Sequence, residues 1–497
     1  MEEKNKYYIT TAIPYVNAKP HIGNAVDWLC ADILARHHRS LGEEVMFSVG
    51  ADQHGEKNLE KAQEANLDPK VYVDEMAAKF SNVFDAYNIR PDRFIRTSDE
   101  AHKQRVQIIW DKLKPYLYKG KYVGAYCVGC EEFKTETHVK ETNEVCPDHD
   151  RKYDQLEEEN YFFRFSDLTE QVRSAIESDE IRIVPESKKK EALNLIGDGM
   201  EDMSVARPKS RVGDWGVEVP DDPDYIVYVW FEAVMNYITL LGYPENEDFR
   251  KFWPADVQVL GKGVLRFHAL TWPGVLLALG LPLPHNLYVH GYWNMNGREL
   301  SKTTGNVAYP EDLAAIYGSD ATRYFNARYL PSYKDGDFTW LKTLNVYNDD
   351  LVNGLGNVIQ RTAKMVDSYL KGELGDDVPG PHHDNRAYYD ALKNYRFDKA
   401  LEWAFEIVNG VNRYLEQTKP WMLVKEDKNA AHVKEILLNC VSDILEIGTL
   451  LAPFMPKTAD MIEEMFSGQK MGILSGPVFA KVELPGELTA QAEVKKG

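Results

Sequence analysis

Two short clusters of cysteine and histidine in this chain of 497 residues have the spacing of metal ligands. Cys127 and Cys130 form a Cys-x-x-Cys pair, and Cys146 and His149 form a second pair with the same spacing. Each pair offers two ligands to one ion, and four protein ligands complete the tetrahedral coordination that Zn²⁺ prefers. We therefore predict one structural zinc per chain. Reduced structural thiols are the alternative, but they leave the repeated spacing unexplained.

A second group of candidate residues lies where a loop enters a helix near the N-terminus. His21 and Asn24 carry side-chain donors, and Gly23 between them lacks the Cβ that would keep an anion from the backbone. Backbone N–H groups at a helix N-terminus are unpaired and the helix dipole is positive there, so a phosphate is stabilised. A helix cap or a surface histidine is the plainer interpretation of the same residues.

Two further residues have the chemistry of ligand binding. Asp52 follows an apolar run, and a carboxylate at the end of a strand suits a substrate ammonium group, although a helix N-cap explains it equally well. Lys302 lies in a loop rich in Ser, Thr and Gly, which is typical of a mobile phosphate clamp. A solvated loop lysine is the alternative. Neither a Walker glycine loop nor a Gly-x-Gly-x-x-Gly motif is present.

The elements that must position these residues have the pattern of an α/β body. Residues 7–12 are aromatic and β-branched, which predicts a strand, and apolar residues at spacings of three and four from Val26 to Leu41 predict the helix after it. The ligand crevice of such a βαβ unit opens at the carboxyl ends of its strands. Further strands are predicted at 45–49, 225–229, 257–260 and 287–290.

From about residue 345 the apolar periodicity is wholly helical, which predicts an α-helical bundle appended to the α/β body. The last helical pattern ends near Phe466, and the remaining tail is too short for another core. Residues 116–224 alternate in polarity and are rich in turn residues. They have the pattern of an inserted module that contains the cysteine and histidine pairs.

Composition limits the classes of function. A net charge of −20 argues against binding nucleic acid through bulk charge, but charges are screened beyond about 8 Å at physiological salt, so local patches remain possible binding sites. The five cysteines are an odd number and three of them cluster, which indicates a reducing compartment. No apolar leader is seen, and no apolar run approaches the ~20 residues of a bilayer span. We expect a cytoplasmic protein without membrane contact.

The order of these pieces resembles the methionyl-tRNA synthetase family of class I aminoacyl-tRNA synthetases. Any one motif is weak, but their joint order is specific and covers nearly the whole chain. Around the cysteine–histidine insert, the motifs are His-Ile-Gly-Asn from His21, Ala-Asp-Gln-His-Gly from Ala51, Val-Trp-Phe-Glu-Ala from Val229, Gly-Lys-Gly from Gly261, Glu-Leu-Ser-Lys-Thr from Glu299 and Lys-Pro-Trp from Lys419.

The resemblance implies a fold and a reaction. The fold is α/β, with a Rossmann-like catalytic domain, an inserted zinc-knuckle connective domain and a C-terminal α-helical bundle. The reaction is the activation of L-methionine by ATP with Mg²⁺ to methionyl-adenylate, then transfer to the 3′ end of tRNA(Met). The implied segments are 1–115 and 225–290 for the catalytic domain, 116–224 for the connective insert, 291–344 for the stem-contact region with the lysine loop, and 345–497 for the anticodon-binding domain. The short tail leaves no room for the family's optional C-terminal dimerisation domain, so the resemblance implies a monomer.

The same resemblance implies roles for individual residues. The methionine pocket would be formed by Ile13, Tyr15, Asp52, Trp230, Ala233, Val234, Tyr237 and His268, with Asp52 holding the ammonium group. The ATP site would be formed by His21, Gly23, Asn24, Gly261, Gly263, Trp293 and Lys302, of which His21, Asn24 and Lys302 stabilise the reacting phosphate. The anticodon would be read by Asn357, Arg361 and Trp421.

The sequence departs from the family pattern at four positions. Asn24 ends the motif usually written HIGH, Glu232 and Gly263 stand where aspartate is usual, and Glu299 replaces the first lysine of the loop usually written KMSKS. Two alternatives therefore stay open. Another class I synthetase is one, although the insert is small for an editing domain and its zinc ligands form a closed set. A tRNA-binding paralogue that does not activate an amino acid is the other, and Glu299 and Gly263 keep it open.

Overall fold

The computed structural model describes residues 5–127, 132–134, 136–147, 150–197, 199–300, 305–473, 476–486 and 488. Its contacts divide the chain into two compact units. Unit 1 comprises Met1–Lys19, Val45–Phe80 and Pro91–Val289. Unit 2 comprises Pro20–Glu44, Ser81–Arg90 and His290–Gly497. Each unit therefore joins segments that are distant in the sequence.

A six-stranded sheet organises unit 1. The strands, in their order across the sheet, are Arg93–Arg96, Glu44–Ala51, Lys6–Thr11, Val257–Gly261, Asn286–His290 and Arg182–Val184. Four of the five strands predicted from the sequence belong to this sheet, within a few residues of their expected bounds, and these four lie side by side at its centre. The predicted α/β body is confirmed.

Register shows where the carboxyl ends of the central strands lie. Lys6–Thr11 pairs in parallel with Val257–Gly261, with Ile9 opposite Val257. A parallel bridge between Tyr15 and Asp52 continues the contact between Lys6–Thr11 and its other neighbour, Glu44–Ala51. Because parallel strands end at the same edge, the loops after these three strands open on one side of the sheet.

The fifth predicted strand, at 225–229, is placed differently from the expectation. Residues Asp222–Val227 form a strand, but it pairs antiparallel with Ala206–Pro208 and Glu218–Val219 in a separate three-stranded sheet. The helix Val229–Ala233 begins directly afterwards. The apolar run fits either sheet, because alternation within one segment does not identify the partner strand. Conversely, Arg182–Val184 lies within the predicted insert in sequence yet pairs in parallel with Asn286–His290.

The insert itself is mainly antiparallel. A four-stranded sheet has the order Met203–Ser204, Asp154–Phe163, Leu117–Cys127 and Glu132–Lys134, and a two-stranded ribbon joins Val145–Cys146 to Arg151–Lys152. The helices of unit 1 are Glu56–Glu64, Pro69–Ala78, Glu100–Leu113, Glu136–Glu141, Thr169–Glu177, Glu186–Ile196, Lys209–Val212, Val229–Ala233, Asn236–Thr239, Glu247–Phe252 and Trp272–Ala278.

The described part of unit 2 is mainly helical and contains a small sheet of Arg298–Glu299, Trp293–Met295 and Gly336–Phe338. The predicted first helix runs Ala25–Ser40 and ends before Gly42, whose φ of 81° favours glycine. The apolar residues that gave the bundle its helical periodicity, such as Leu401, Val411 and Ile444, are buried. The other helices are Phe80–Tyr87, Pro310–Tyr317, Ser319–Tyr329, Trp340–Val346, Asn357–Leu370, Arg386–Lys393, Phe397–Thr418, Pro420–Leu423, Ala430–Leu451 and Pro456–Phe466, with a π-helical stretch at Tyr347–Gly356. None of the helices in the described ranges has the length and hydropathy to cross a bilayer.

One buried cation ties unit 2 together. The guanidinium of Arg323, 0% exposed, lies 2.7 Å from the Asp32 carboxylate, whose side chain is equally buried. It also donates hydrogen bonds to the backbone oxygens of Tyr87, Pro453 and Phe454 at 2.7–2.9 Å. Three other chain segments therefore converge on one side chain. A buried charge is tolerated only when it is paired and hydrogen-bonded in this way.

We predict that Arg323→Met destabilises the protein by about 3–5 kcal/mol, because the variant leaves the Asp32 carboxylate and three backbone oxygens buried without their donor. Chemical denaturation monitored by circular dichroism measures the decrease in the free energy of unfolding. Arg386→Met is the matched control, since Arg386 is paired with Asp384 at an exposed site, and its stability should hardly change. Equal effects of the two substitutions would contradict the organising role of Arg323.

Candidate active site

A cavity of about 160 Å³, open to solvent, lies in unit 1 at the carboxyl edge of the central sheet. All eight residues predicted for the methionine pocket line it, although they come from four separate segments of the chain. Its lining comprises Ala12, Ile13, Pro14, Tyr15, Asp52, Trp230, Ala233, Val234, Tyr237, Val264, Phe267 and His268. Only Asp52 among them carries a carboxylate, so the cavity is apolar with one acidic group.

Aromatic rings form one wall of the cavity. The ring of Tyr15 meets Trp230 edge to face, with centroids 6.4 Å apart and planes at 73°. Trp230 also packs on Phe267, with centroids 4.6 Å apart. The helix Val229–Ala233 directs adjacent side chains to different surroundings. Phe231 is fully buried in the core, whereas Trp230 is partly buried and lines the cavity. Such a wall suits an unbranched, polarisable side chain.

A buried tyrosine–histidine pair adds the polar part of the lining. His268 Nδ1 donates to the carbonyl oxygen of Val264 at 2.9 Å, so in the neutral ring Nε2 is the acceptor. The hydroxyl of Tyr237 donates to that Nε2 at 2.6 Å. The backbone oxygen of Tyr237 accepts in turn from the hydroxyl of Tyr8 on the central strand, at 2.9 Å. The tyrosine oxygen is therefore held in place as a hydrogen-bond acceptor.

The position of Asp52 is set by backbone pairing. Its N–H donates to the carbonyl oxygen of Pro14 at 2.9 Å, next to the bridge between Tyr15 and Asp52. Its side chain is 5% exposed. A carboxylate that lines an apolar cavity attracts an ammonium group strongly, because little water screens the pair. The two strand ends thus place one aromatic ring and one anionic group side by side.

Glu232 holds the Asp52 loop against the helix that carries Trp230. Its Oε1 accepts from His54 Nδ1 at 2.8 Å and its Oε2 from His102 Nε2 at 2.6 Å, and His102 Nδ1 contacts the Thr239 hydroxyl at 2.7 Å. Burial alone would raise the pKa of Glu232, but the two imidazole rings hold it below its usual value. Glu232, His54, His102 and Thr239 thus form one network, and Thr239 extends it to the helix Asn236–Thr239.

In unit 2, hydrogen bonds within the loop before helix Ala25–Ser40 orient His21 and Asn24, two of the residues predicted to bind phosphate. The N–H of Gly23 donates to His21 Nδ1 at 3.1 Å, so Nδ1 is the acceptor and Nε2 carries the proton. The N–H of His21 donates to the amide oxygen of Asn24 at 3.0 Å, which leaves the Asn24 NH₂ group as a donor. A Cβ on Gly23 would lie 2.9 Å from the His21 ring, so a larger residue there would displace the ring.

The other residues predicted for ATP binding have different surroundings. Gly261 is buried at the end of its strand, and Gly263 is exposed in the short helical turn that follows. Trp293 is 2% exposed in unit 2, and its indole N–H is engaged by Asn326 at 2.8 Å. Lys302 lies outside the described residues.

The residues predicted for the anticodon form a patch on unit 2. Asn357 is exposed on helix Asn357–Leu370, and Arg361 follows one turn later on the same face. The guanidinium of Arg361 lies 4.7 Å from the Trp421 ring centroid and 2.6 Å from Glu416 Oε1. A planar cation over a partly buried indole is a stacking platform of the kind that unpaired bases use.

Two of the four predicted zinc ligands can be placed. Cys127 and Cys146 are both 0% exposed. Each ends a strand just before a short connection whose two ends are paired, Cys127 with Glu132 and Cys146 with Arg151. Cys130 and His149 belong to these connections and lie outside the described residues. The two buried thiols fit the donor chemistry of a structural zinc site.

Sequence reasoning missed the partners that position the site. His54 and His102 gave no separable signal, because they lie 178 and 130 residues from Glu232. Asp27 was missed as well, although it lies in the first turn after Asn24. Its Oδ1 is 3.2 Å from Nε2 of buried His290. Burial alone would lower the pKa of His290, but Asp27 reverses the shift and raises it.

We predict that Glu232→Gln destabilises the protein by about 3 kcal/mol at neutral pH, because an amide cannot accept from both imidazole rings. Since the folded-state pKa of Glu232 is depressed, its contribution is present above its unfolded pKa of about 4.3 and is lost as the pH falls through the lower, folded value. Denaturation of wild type and variant at neutral and acidic pH should therefore show a difference in the free energy of unfolding that becomes smaller in acid.

Glu245→Gln, at an exposed site in unit 1, is the matched control and should leave both the stability and its pH dependence unchanged. A Glu232→Gln protein as stable as wild type at neutral pH would show that the network does not hold the loop.

Comparison with known proteins agrees with this arrangement. The family model for class I tRNA synthetases (M) matches residues 7–160 and 145–363, and the model for the anticodon-binding domain of tRNA ligases matches 382–493. The methionine–tRNA ligase of Thermotoga maritima is 38% identical over 472 residues, which cover 92% of this chain and 74% of that protein. The Enterococcus faecalis methionine–tRNA ligase is 37% identical, over 93% of this chain and 72% of that one.

Solved structures agree as well. The Mycobacterium tuberculosis methionyl-tRNA synthetase in complex with methionyl-adenylate superposes with a TM-score of 0.87 at 30% identity, covering 96% of this chain and 99% of that one. Its free form gives a TM-score of 0.83 at 29% identity, over 97% of this chain and 99% of that one. Together with the cavity and the two matched family models, these likenesses show that the chain belongs to the methionyl-tRNA synthetase family of class I aminoacyl-tRNA synthetases.

Proposed function

We propose that this protein is a methionine–tRNA ligase, which activates L-methionine with ATP and then esterifies tRNA(Met). The observation that carries the proposal is the cavity in unit 1, where one carboxylate and several aromatic rings converge from four chain segments. Family membership agrees with this chemistry. The alternative of a tRNA-binding paralogue without activation has no support in the cavity, because a protein that only binds tRNA needs no amino-acid pocket.

Recognition of methionine follows from the lining. The ammonium group pairs with Asp52, and the thioether packs against Tyr15, Trp230 and the Tyr237–His268 pair. Sulfur is polarisable and makes favourable contacts with aromatic rings, so an unbranched thioether gains more in this cavity than a branched aliphatic chain does. The fixed Tyr237 hydroxyl adds a polar contact that a purely apolar pocket would lack.

The chemistry of activation is a displacement at phosphorus. The methionine carboxylate attacks the α-phosphorus of ATP, the bond to the β-phosphate oxygen breaks, and pyrophosphate leaves. His21 donates from Nε2 and Asn24 from its amide to the phosphate oxygens as they gain charge, and Lys302 adds a positive charge. Mg²⁺, when bound to the nucleotide, neutralises further phosphate charge. In the second step the terminal ribose hydroxyl of the tRNA attacks the activated carboxyl carbon and AMP leaves.

Each departure from the family pattern has a definable consequence for this reaction. Asn24 keeps a donor because its amide oxygen is already engaged by His21. Glu232 has a structural task between two histidines. Glu299 is exposed, and the Asn306 side chain holds its carbonyl oxygen at 2.9 Å, so the loop that contains Lys302 begins from a fixed point. Gly263 removes one side chain that would contact the ribose.

Further features are proposed on sequence grounds. Cys127, Cys130, Cys146 and His149 hold one structural zinc, which cross-links the two hairpins of the insert and takes no part in the chemistry. The five segments defined from the sequence are the functional divisions of the chain. The protein works as a cytoplasmic monomer. A single sedimenting species of monomer mass supports the last point, and a stable dimer contradicts it.

Methionine-dependent exchange of pyrophosphate into ATP tests the activation step. We expect the purified protein to catalyse it, and Asp52→Asn to raise the KM for methionine about 10- to 100-fold, because the variant loses a charge-assisted contact with the ammonium group. Asp111→Asn is the matched control, since Asp111 is exposed and paired with Lys114 in the same unit, and its kinetics should equal those of wild type.

No exchange by the wild-type protein at saturating methionine would favour the paralogue. An Asp52→Asn protein with an unchanged KM for methionine would instead place the ammonium group elsewhere.

Aminoacylation of tRNA tests the patch on unit 2. Trp421→Ala should lower kcat/KM for tRNA about 5- to 100-fold, because stacking of one base on an aromatic ring contributes about 1–3 kcal/mol. Methionine-dependent exchange, which needs no tRNA, should change little. Met422→Ala is the control, because Met422 is the next residue and is 52% exposed. Equal losses for both variants would contradict stacking on Trp421.

A further inference from the structure

A cluster of four possible metal ligands lies in unit 2, away from the cysteine pairs in the sequence. His382 and His383 belong to the loop before helix Arg386–Lys393, and Asp443 and Glu446 lie on helix Ala430–Leu451. One potential ligand atom from each residue lies within 4.8 Å of every other. Neither the methionine cavity nor the predicted anticodon residues use this cluster.

We propose that His382, His383, Asp443 and Glu446 form a site for a divalent transition metal of the Zn²⁺ type. Two imidazole nitrogens and two carboxylate oxygens are a donor set that Zn²⁺ accepts, whereas Mg²⁺ and Ca²⁺ prefer oxygen ligands alone. The proposal is independent of the zinc predicted for the cysteine–histidine pairs.

The geometry already approaches that of a bound ion. Nε2 of His383 and of His382 lie 3.0 and 3.4 Å from the same oxygen, Asp443 Oδ1. With Zn–N and Zn–O bonds of about 2.0–2.2 Å, neighbouring ligand atoms of a tetrahedral ion lie roughly 3.3 Å apart. Asp443 and Glu446 are three residues apart on one helix, so both carboxylates project from the same face. Only small side-chain rotations are needed to enclose an ion.

A second layer of hydrogen bonds holds the least exposed ligand. Glu446 is 3% exposed, and its carboxylate accepts hydrogen bonds from the Asn385 side-chain amide at 2.7 Å and from the backbone N–H of His382 at 3.2 Å. The amide of Asn385 is oriented in turn by the indole N–H of Trp403, at 2.9 Å. Ligand carboxylates in metal sites are typically held this way, because each oxygen has lone pairs for both a donor and the ion.

The site would fasten a loop to the helical bundle. His382 and His383 follow a segment rich in Gly, Pro and Asp, which has little apolar surface of its own. The Ser442 hydroxyl donates to the Gly380 carbonyl at 3.2 Å, and Lys434 pairs with Asp377 at 2.7 Å, so this loop already follows the same helix. A metal ion would cross-link the two and raise the stability of this part of unit 2.

The test is metal binding by the full chain after removal of loosely held metal with a chelator. Titration with Zn²⁺ in a calorimeter, and with Co²⁺ followed by visible absorption, should show one site whose Co²⁺ spectrum lacks thiolate charge transfer. His383→Ala and Asp443→Asn should abolish this site, and His382→Ala, at a more exposed ligand, should weaken it at least tenfold. Saturating Zn²⁺ should raise Tm for wild type and not for these variants.

His432→Ala is the matched control. His432 and Glu435 form a histidine–carboxylate pair on the same helix, 3.2 Å apart and exposed, and the variant should bind metal as wild type does. Circular dichroism of the metal-free variants checks that they fold. Absence of a thiol-free site in wild type would show that the cluster is only a set of histidine–carboxylate ion pairs. Unchanged binding by His383→Ala and Asp443→Asn would place the metal elsewhere. Either result overturns the proposal.

Discussion

The buried carboxylate of Glu232 fixes the distance between the loop that carries Asp52 and the helix that carries Trp230. It has two oxygens, and each accepts from a different imidazole, one on His54 and one on His102. Asp52 lies two residues before His54, and Trp230 lies two residues before Glu232 in the chain. A buried charge is costly unless it is fully hydrogen-bonded, so this network has one well-defined arrangement. A longer glutamate at a position where the family usually has aspartate is consistent with its reach to two partners.

A comparable constraint acts in unit 2, where Arg323 is surrounded by Asp32 and three backbone carbonyl groups. In both units a single buried ion joins segments that are far apart in sequence. The apolar cores supply most of the stability, because burial of apolar surface is the largest favourable term in folding. The buried ions add specificity, since a shifted helix or loop would leave a charge without its partner. This is how segments that each contribute one or two functional residues are kept in register.

The extent to which the sequence predicted this structure depends on the range of the interactions. Strand Lys6–Thr11, helix Ala25–Ser40 and the bundle helices have strong local periodicity, and the sequence predicts them well. The motif order predicted the eight cavity residues, although no spacing rule relates Tyr15 to Trp230. The sheet of strand Asp222–Val227 was assigned wrongly, because strand pairing is decided by tertiary contacts that one segment does not encode. His54, His102 and Arg323 could not be predicted for the same reason. The roles of Cys130 and His149 in zinc binding and of Lys302 in phosphate binding stay predictions.

The central claim is that the cavity in unit 1 is the methionine site. A crystal structure of the protein with L-methionine tests it most directly. We predict that the ammonium group lies within hydrogen-bond distance of the Asp52 carboxylate, and that the thioether lies against Tyr15, Trp230 and the Tyr237–His268 pair. Methionine bound at another place, or an empty cavity at a saturating methionine concentration, would contradict the account.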